Sequence, residues 1–294
     1  MPLLGQQSES IGGARADQLA ELARTIRDRV LLRSFRIPLL PAAVQSLMAL
    51  AIDPTSSTRD LETAIRHEPL IAAKVVANAN SSLHASRGSV TSLHQATVRL
   101  GADLLRRLIS QAVAEAHIFT GRPQARLAQL RRHSIVVGYL SQRVCSLLDQ
   151  DPGYAFLCGL LHDMGHPIVL SLLTRIPAAS DLSDSERDMV SELLHPIVGE
   201  RVARAWELPE QVAEVCRFHH CHLGHDRPGS SSSRPHDLVL VVTAADHLAC
   251  RTGIGDRELE GEIEDDPIWA ALRFDEARLD SLREYADRVV ASLS

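Results

Sequence analysis

The sequence predicts an all-α fold, a helical bundle built in two blocks. Three observations carry that reading. Aromatic residues make up only 3% of the 294 residues, too few for the strands of a β-sandwich or barrel. Alanine, leucine, arginine and glutamate, which suit helices, dominate the composition. Apolar residues recur at spacings of three, four and seven, and no apolar/polar alternation is long enough for a strand.

Residues 1–16 are polar and Gly/Ser-containing and are expected to fray. Leu19, Leu22, Ile26 and Val30 form the stripe of a first helix over Ala14–Leu32. Ile37–Pro41 is a proline-bounded break before a helix over Ala42–Asp53. Ser57-Thr58-Arg59-Asp60 reads as a capping box opening a short helix through Arg66. Pro69 fits the first turn of the next helix, which carries Ile71, Val75 and Val76. Two more helices are expected at Ser92–Leu100 and Ala102–Phe119. Gly121-Arg122-Pro123 marks a junction. The second block is read as helices at 124–148, 151–161, 183–206, 209–220 and 235–251, with a capping box at Ser183–Glu186. Gly229–Ser233 is a low-complexity loop, and Asp275–Leu293 a closing helix.

With 45% hydrophobic and 23% charged residues, the chain has the means to bury a core. The net charge of −6 argues against general nucleic-acid binding. No run of 18 apolar residues suggests a membrane span, and MPLLGQQSESIGG lacks the plan of a secretory signal. Cys145, Cys158, Cys216, Cys221 and Cys250 are an odd number without a disulfide pattern, which points to a reducing cytoplasm. Cys216 and Cys221 have no second pair to complete a zinc site and read as ordinary thiols.

Histidine is the anomaly: 10 of 14 lie between His133 and His247. Several occupy apolar faces. His133 shares a stripe with Leu130, Val137 and Leu140, and His219 one with Val212, Val215 and Cys216. Asp246 falls between Val239, Val242 and Ala249 in the most apolar helix of the chain. An unpaired buried carboxylate costs several kcal/mol, so Asp246 requires a cation or donors. His162 ends a face of small residues, Ala155, Cys158 and Gly159, and His195 shares a face with Val198, Gly199 and Val202. Each taken singly fits a satisfied core residue; together, with Asp163 beside His162, they form a donor set suited to Zn, Mn or Fe. The pairs Arg106-Arg107 and Arg131-Arg132 read as solvated helix faces or, alternatively, a basic lip for phosphate.

The order His133 … His162-Asp163 … His195 … His219-His220 … Asp246, with the run FLCGLLHDMGHPIVL, resembles the HD superfamily of metal-dependent phosphohydrolases. The upstream block, with its Pro-Leu-Leu-Pro entry, Asn78-x-Asn80-Ser81 and Leu100-Gly101, resembles the amino-terminal part of the HDOD domain, an HD-related output domain of bacterial signalling proteins. The resemblance covers about residues 30–255. It implies metal ligands at His133, His162, Asp163, His195, His219, His220 and Asp246, with Asp163 bridging one or two divalent ions (Fe, Mn, Zn or Mg). Asp163 and His166 are the implied catalytic residues; His166 stands where the HD-x-GK pattern has a lysine near substrate phosphate. The GYP motif of relatives that hydrolyse cyclic-di-GMP is absent, and Gln129 stands where three-metal relatives have an acid.

The expected organisation is a tail with the start of the first helix (1–28), an N-terminal helical block (29–120), an HD-like metal-binding core (121–255) and a C-terminal extension (256–294). The expected function is that of a cytoplasmic signalling module with a metal-binding core, acting mainly on another signalling protein. The alternative is a metal-dependent phosphohydrolase or phosphodiesterase acting on a nucleotide, cyclic dinucleotide or other phosphodiester. No membrane partner is expected.

Overall fold

Caps and apolar stripes set the helix boundaries. The computed structural model describes residues 13–31, 42–81, 90, 92–118, 124–152, 154–220, 238–255 and 263–292. Among them are thirteen α-helices, two short 3₁₀ turns and no strand. The first five helices are α1 (Gly13–Leu31), α2 (Ala42–Ile52), α3 (Thr58–Ile65), α4 (Pro69–Ala79) and α5 (Leu93–His117). Then follow α6 (Gln124–Leu147), α7 (Ala155–Leu161), α8 (Gly165–Leu173), α9 (Asp184–Ala205), α10 (Glu210–Phe218), α11 (Leu238–Arg251), α12 (Pro267–Ala271) and α13 (Glu276–Ser292). The expected break at Ile37–Pro41, the junction at Gly121–Pro123 and the Gly229–Ser233 loop lie outside the described residues.

Both capping boxes form. Ser57 Oγ accepts the Asp60 amide while the Asp60 carboxylate accepts the Ser57 amide, and Ser183 and Glu186 do the same for α9. Each such cap contributes about 1 kcal/mol. The two helices expected on either side of Gly101 run on as α5 but turn sharply there, because Gly101 adopts φ 74°. Asn80 anchors the return of the chain to Val90, donating to its carbonyl at 2.8 Å and accepting its amide at 2.7 Å. The helix expected from 151 starts only at Ala155. Two helices are additions to the sequence reading: α8, whose residues are apolar almost all round, and the five-residue α12.

In the N-terminal block, α2, α3 and α4 pack on α5. In the second, α7 and α11 pack on α6, while α8 and α10 pack on α9. One hydrophobic core runs through both blocks, and α5 also touches α7. α1 lies along α9, tied by Arg15–Glu186 and by Arg201 donating to the Val30 carbonyl. The stretch Ala155–Leu173 is apolar enough by composition to span a membrane, but it is split into α7 and α8 and is buried in this core. Of the Arg pairs, Arg106 donates to the Pro54 and Ser56 carbonyls and Arg107 to Gln142, while Arg131 is exposed and faces Glu115 at 3.9 Å.

Glu62, buried in α3, is the polar hub of the first block. It meets Arg66, the His94 ring at 2.9 Å and the Thr97 hydroxyl at 3.2 Å. Arg66 and His94 hold its carboxyl down to about 2, against the effect of burial. A depressed folded-state pKa gives stability that is present above the ordinary carboxylate range and is lost as pH falls toward 2. Glu62→Gln should therefore destabilise the protein by about 1–3 kcal/mol at neutral pH. Denaturant melts should show that deficit shrinking between about pH 4.5 and 2.

Candidate metal centre

Six helices and one turn bring the predicted site residues together. His133 comes from the middle of α6, His162 caps α7, and Asp163 sits in the turn before α8. His166 lies in α8 and His195 in α9, His219 caps α10 with His220 next, and Asp246 lies in α11. All but His220 are buried, each at most 4% exposed; His220 is half-buried. The approach of α8 to α9 depends on Gly165, where a Cβ would lie 2.0 Å from the His195 carbonyl oxygen.

The side chains divide into two sets around Asp163. Its Oδ2 lies 3.2 Å from His162 Nε2 and 3.7 Å from His133 Nε2. His133 Nε2 is 3.3 Å from His162 Nε2 and 3.1 Å from Asp246 Oδ1. On the other side, Asp163 Oδ1 lies 3.1 Å from His219 Nε2 and 3.4 Å from His195 Nε2. His195 Nε2 is in turn 3.3 Å from His219 Nε2 and 2.8 Å from His220 Nε2. One carboxylate thus offers one oxygen to a set with His133 and His162, which Asp246 adjoins through His133, and the other to a four-donor set with His195, His219 and His220.

Hydrogen bonds behind the rings fix what they offer. His162 Nδ1 donates to the Gly159 carbonyl at 2.7 Å, His219 Nδ1 to Val215 at 3.0 Å, and His195 Nδ1 to Ser191 at 3.3 Å. With Nδ1 carrying the proton, each Nε2 turns a lone pair into the centre, as the outer hydrogen-bond partners of a metal-bound histidine require. Converging lone pairs and two buried carboxylates repel one another unless positive charge lies between them. Most of the donor separations, at 3.1–3.4 Å, match those around a cation holding nitrogen and oxygen at about 2.0–2.2 Å, while His195–His220 at 2.8 Å and His133–Asp163 at 3.7 Å lie on either side. The residues therefore fit divalent metal. Without a cation, the same anionic charge draws a second proton onto His162 instead: burial opposes it, but Asp163 and Asp246 raise its pKa to about 9. Burial likewise works against an ionised Asp163, yet His162 and His219 hold it well below the ordinary carboxylate range.

His166 does not join either set. Its Nδ1 lies 2.8 Å from Ser191 Oγ, and its ring stacks on His195 with centroids 3.8 Å apart. Its Nε2 is 4.0 Å from Asp163 Oδ1 and 3.5 Å from Glu192 Oε2. Glu192 also approaches His220 Nε2 at 3.8 Å, at the less buried edge of the centre. The sequence reading missed Ser191 and Glu192; their places four and three residues before His195 on α9 were the available signal. Gln129 reaches toward the Gly255 carbonyl at 3.5 Å. Cys216 donates to the Leu161 carbonyl, as an ordinary buried thiol does. Cys221, His222 and His225 lie outside the described residues.

Comparison with known proteins agrees with this architecture. The family model of the HDOD domain matches residues 37–222, well over half of the chain. The chain belongs to the HDOD domain family. An HDOD domain protein of unknown function from Geobacter sulfurreducens superimposes with a TM-score of 0.69 at 20% identity, over 94% of this chain and 97% of that one. A candidate metal-dependent phosphohydrolase from Shewanella amazonensis gives 0.67 at 18%, over 95% and 100%. A candidate signal transduction protein from Marinobacter aquaeolei gives 0.61 at 22%, over 95% and 63%. These likenesses establish the shared helical fold. An uncharacterized protein of Treponema pallidum is 25% identical over 213 residues, 69% of this chain and 40% of that protein. The chain thus spans two fifths of the length of that curated relative.

Proposed function

We propose that this chain is a bacterial-type signalling module whose HD-like core holds two divalent cations, and that it acts mainly by binding another signalling protein. The observation that carries the metal reading is Asp163, with its two oxygens facing two separate donor sets. His133, His162 and Asp246 would hold one ion, and His195, His219 and His220 the other. The interaction role is supported by family membership and by the burial of the donors. His166, in the place of the phosphate-binding lysine, is engaged by Ser191 and His195. A cytoplasmic setting is proposed from the odd cysteine count without a disulfide pattern. The domain division proposed is that of the sequence reading, with α1 additionally packed on α9.

The second reading, a metal-dependent phosphohydrolase acting on a nucleotide or other phosphodiester, is favoured by the completeness of both donor sets. Divalent cations there would supply Lewis-acid activation of water for in-line attack on phosphorus. Asp163 would fix their relative placement, while His166, His220 and Glu192 line the edge by which a phosphoryl group would approach. The test is hydrolysis of cyclic dinucleotides and a generic phosphodiester by protein loaded with Mn, Fe or Zn. The expected result is slow or undetectable turnover. Robust metal-dependent hydrolysis, lost in Asp163→Asn with the helical circular dichroism intact, would overturn the module in favour of the enzyme.

A further inference from the structure

Cys250 lies one helical turn after Asp246 on α11, so both side chains leave the same face of the helix. Its Sγ is 3.6 Å from Asp246 Oδ1, and ligating atoms of His133, Asp246 and Cys250 all lie within 4.8 Å of one another. All three residues are buried, and the Gly255 backbone closes over the sulfur, leaving space for no side chain there. His133 differs from the other buried ring donors of the centre: its Nδ1 is buried with no hydrogen-bond partner, so no backbone carbonyl fixes its ring.

We infer that Cys250 supplies a sulfur ligand to the ion held by His133 and Asp246, making this half of the centre a nitrogen–oxygen–sulfur site that prefers thiophilic divalent cations. The inference rests on the two-cation reading above and adds a donor to it. Ligand distances decide its plausibility. Zinc holds carboxylate oxygen at about 2.0–2.2 Å and thiolate sulfur at about 2.3 Å, so the two donors lie about 3.6 Å apart when they subtend a near-tetrahedral angle. That is the observed separation. A weak S–H···O bond to Asp246 would tolerate the same distance but would not select among metals. On coordination the S–H bond is replaced by a metal–sulfur bond, and the proton leaves to solvent. Mg²⁺ prefers oxygen and gains little from the thiolate, whereas Zn²⁺, Cd²⁺ and Co²⁺ gain a soft donor.

The test loads the full-length protein, stripped of metal, with Co²⁺ alone in a Cys221→Ser background. Sulfur-to-cobalt charge-transfer absorption is expected in the near ultraviolet, together with visible bands of bound cobalt. Cys250→Ser and Cys250→Ala should each lose the charge-transfer band, keep bound cobalt, and bind Zn²⁺ about 10-fold or more weakly while Mg²⁺ binding is unchanged. X-ray absorption of the Zn²⁺ form with Cys250 intact should show a sulfur neighbour, a readout that does not depend on the folding of a Cys250 variant. Cobalt bound without a charge-transfer band, or with one that survives both Cys250 substitutions, would overturn the sulfur ligand and leave the two-cation centre standing. Failure to bind Co²⁺ or Zn²⁺ at all would overturn the centre itself, and this inference with it.

Discussion

Asp163→Asn should abolish the rise in melting temperature that Mn, Fe or Zn confers on the protein. Its two oxygens reach both donor sets, so a single isosteric change removes the oxygen offered to one set and the negative charge that both share. An amide offers one oxygen and turns N–H donors toward nitrogen lone pairs that already face inward. Loss of an outer hydrogen-bond partner typically weakens metal binding about 10–100-fold, or about 1.4–2.7 kcal/mol, and loss of the bridge itself should exceed that. A cation bound at about 100 times its Kd stabilises by about 2.7 kcal/mol, a melting shift on the order of 5 °C for a chain of this size. Thermal melts with and without metal should show that gain in the unaltered protein and none in the variant.

Gly165→Ala should be the most damaging one-methyl change in the core. The new Cβ would meet the His195 carbonyl oxygen at 2.0 Å and its carbon at 2.7 Å. These are backbone atoms, so no rotamer change relieves the contact; α8 and α9 must separate. Overpacking commonly costs about 1–3 kcal/mol, and a backbone clash belongs near the top of that range. The metal-free melting temperature should fall by about 5 °C. Because α9 carries His195 and Ser191, cation affinity of the second donor set should fall too, and titration calorimetry would register it. A metal-free melting temperature like that of the unaltered protein would show that the two helices do not meet as described.

The parts of this molecule that were legible in the sequence share one property: a contrast between faces or a local chemical signal. The stripes of Leu19–Val30 and Val212–His219 exposed which side of each helix is buried, and Ser57 and Ser183 marked two starts. The same contrast revealed His133, His219 and Asp246 as polar groups on apolar faces. α8 offered no contrast, because HPIVLSLL is apolar almost all round, and α12 is too short for a period to register. Glu192 had only its place three residues before His195 to mark it. It stands beside Leu193, which is exposed, on a helix with polar residues on several faces, and nothing local says that it approaches two histidines. Cys250 was one of five cysteines with no pairing pattern until the fold placed His133 and Asp246 against it. The ring tautomers depend on carbonyls of Gly159, Ser191 and Val215, and became readable only with the helix geometry.

The most direct test of the central claim is the metal content of the full-length protein, purified without chelator and reconstituted in turn with Mn, Fe and Zn. Two donor sets sharing Asp163 predict about two ions per chain with at least one of these metals, the arrangement of a carboxylate-bridged pair. A metal content near zero with all three, in protein whose helical circular dichroism is intact, would contradict it.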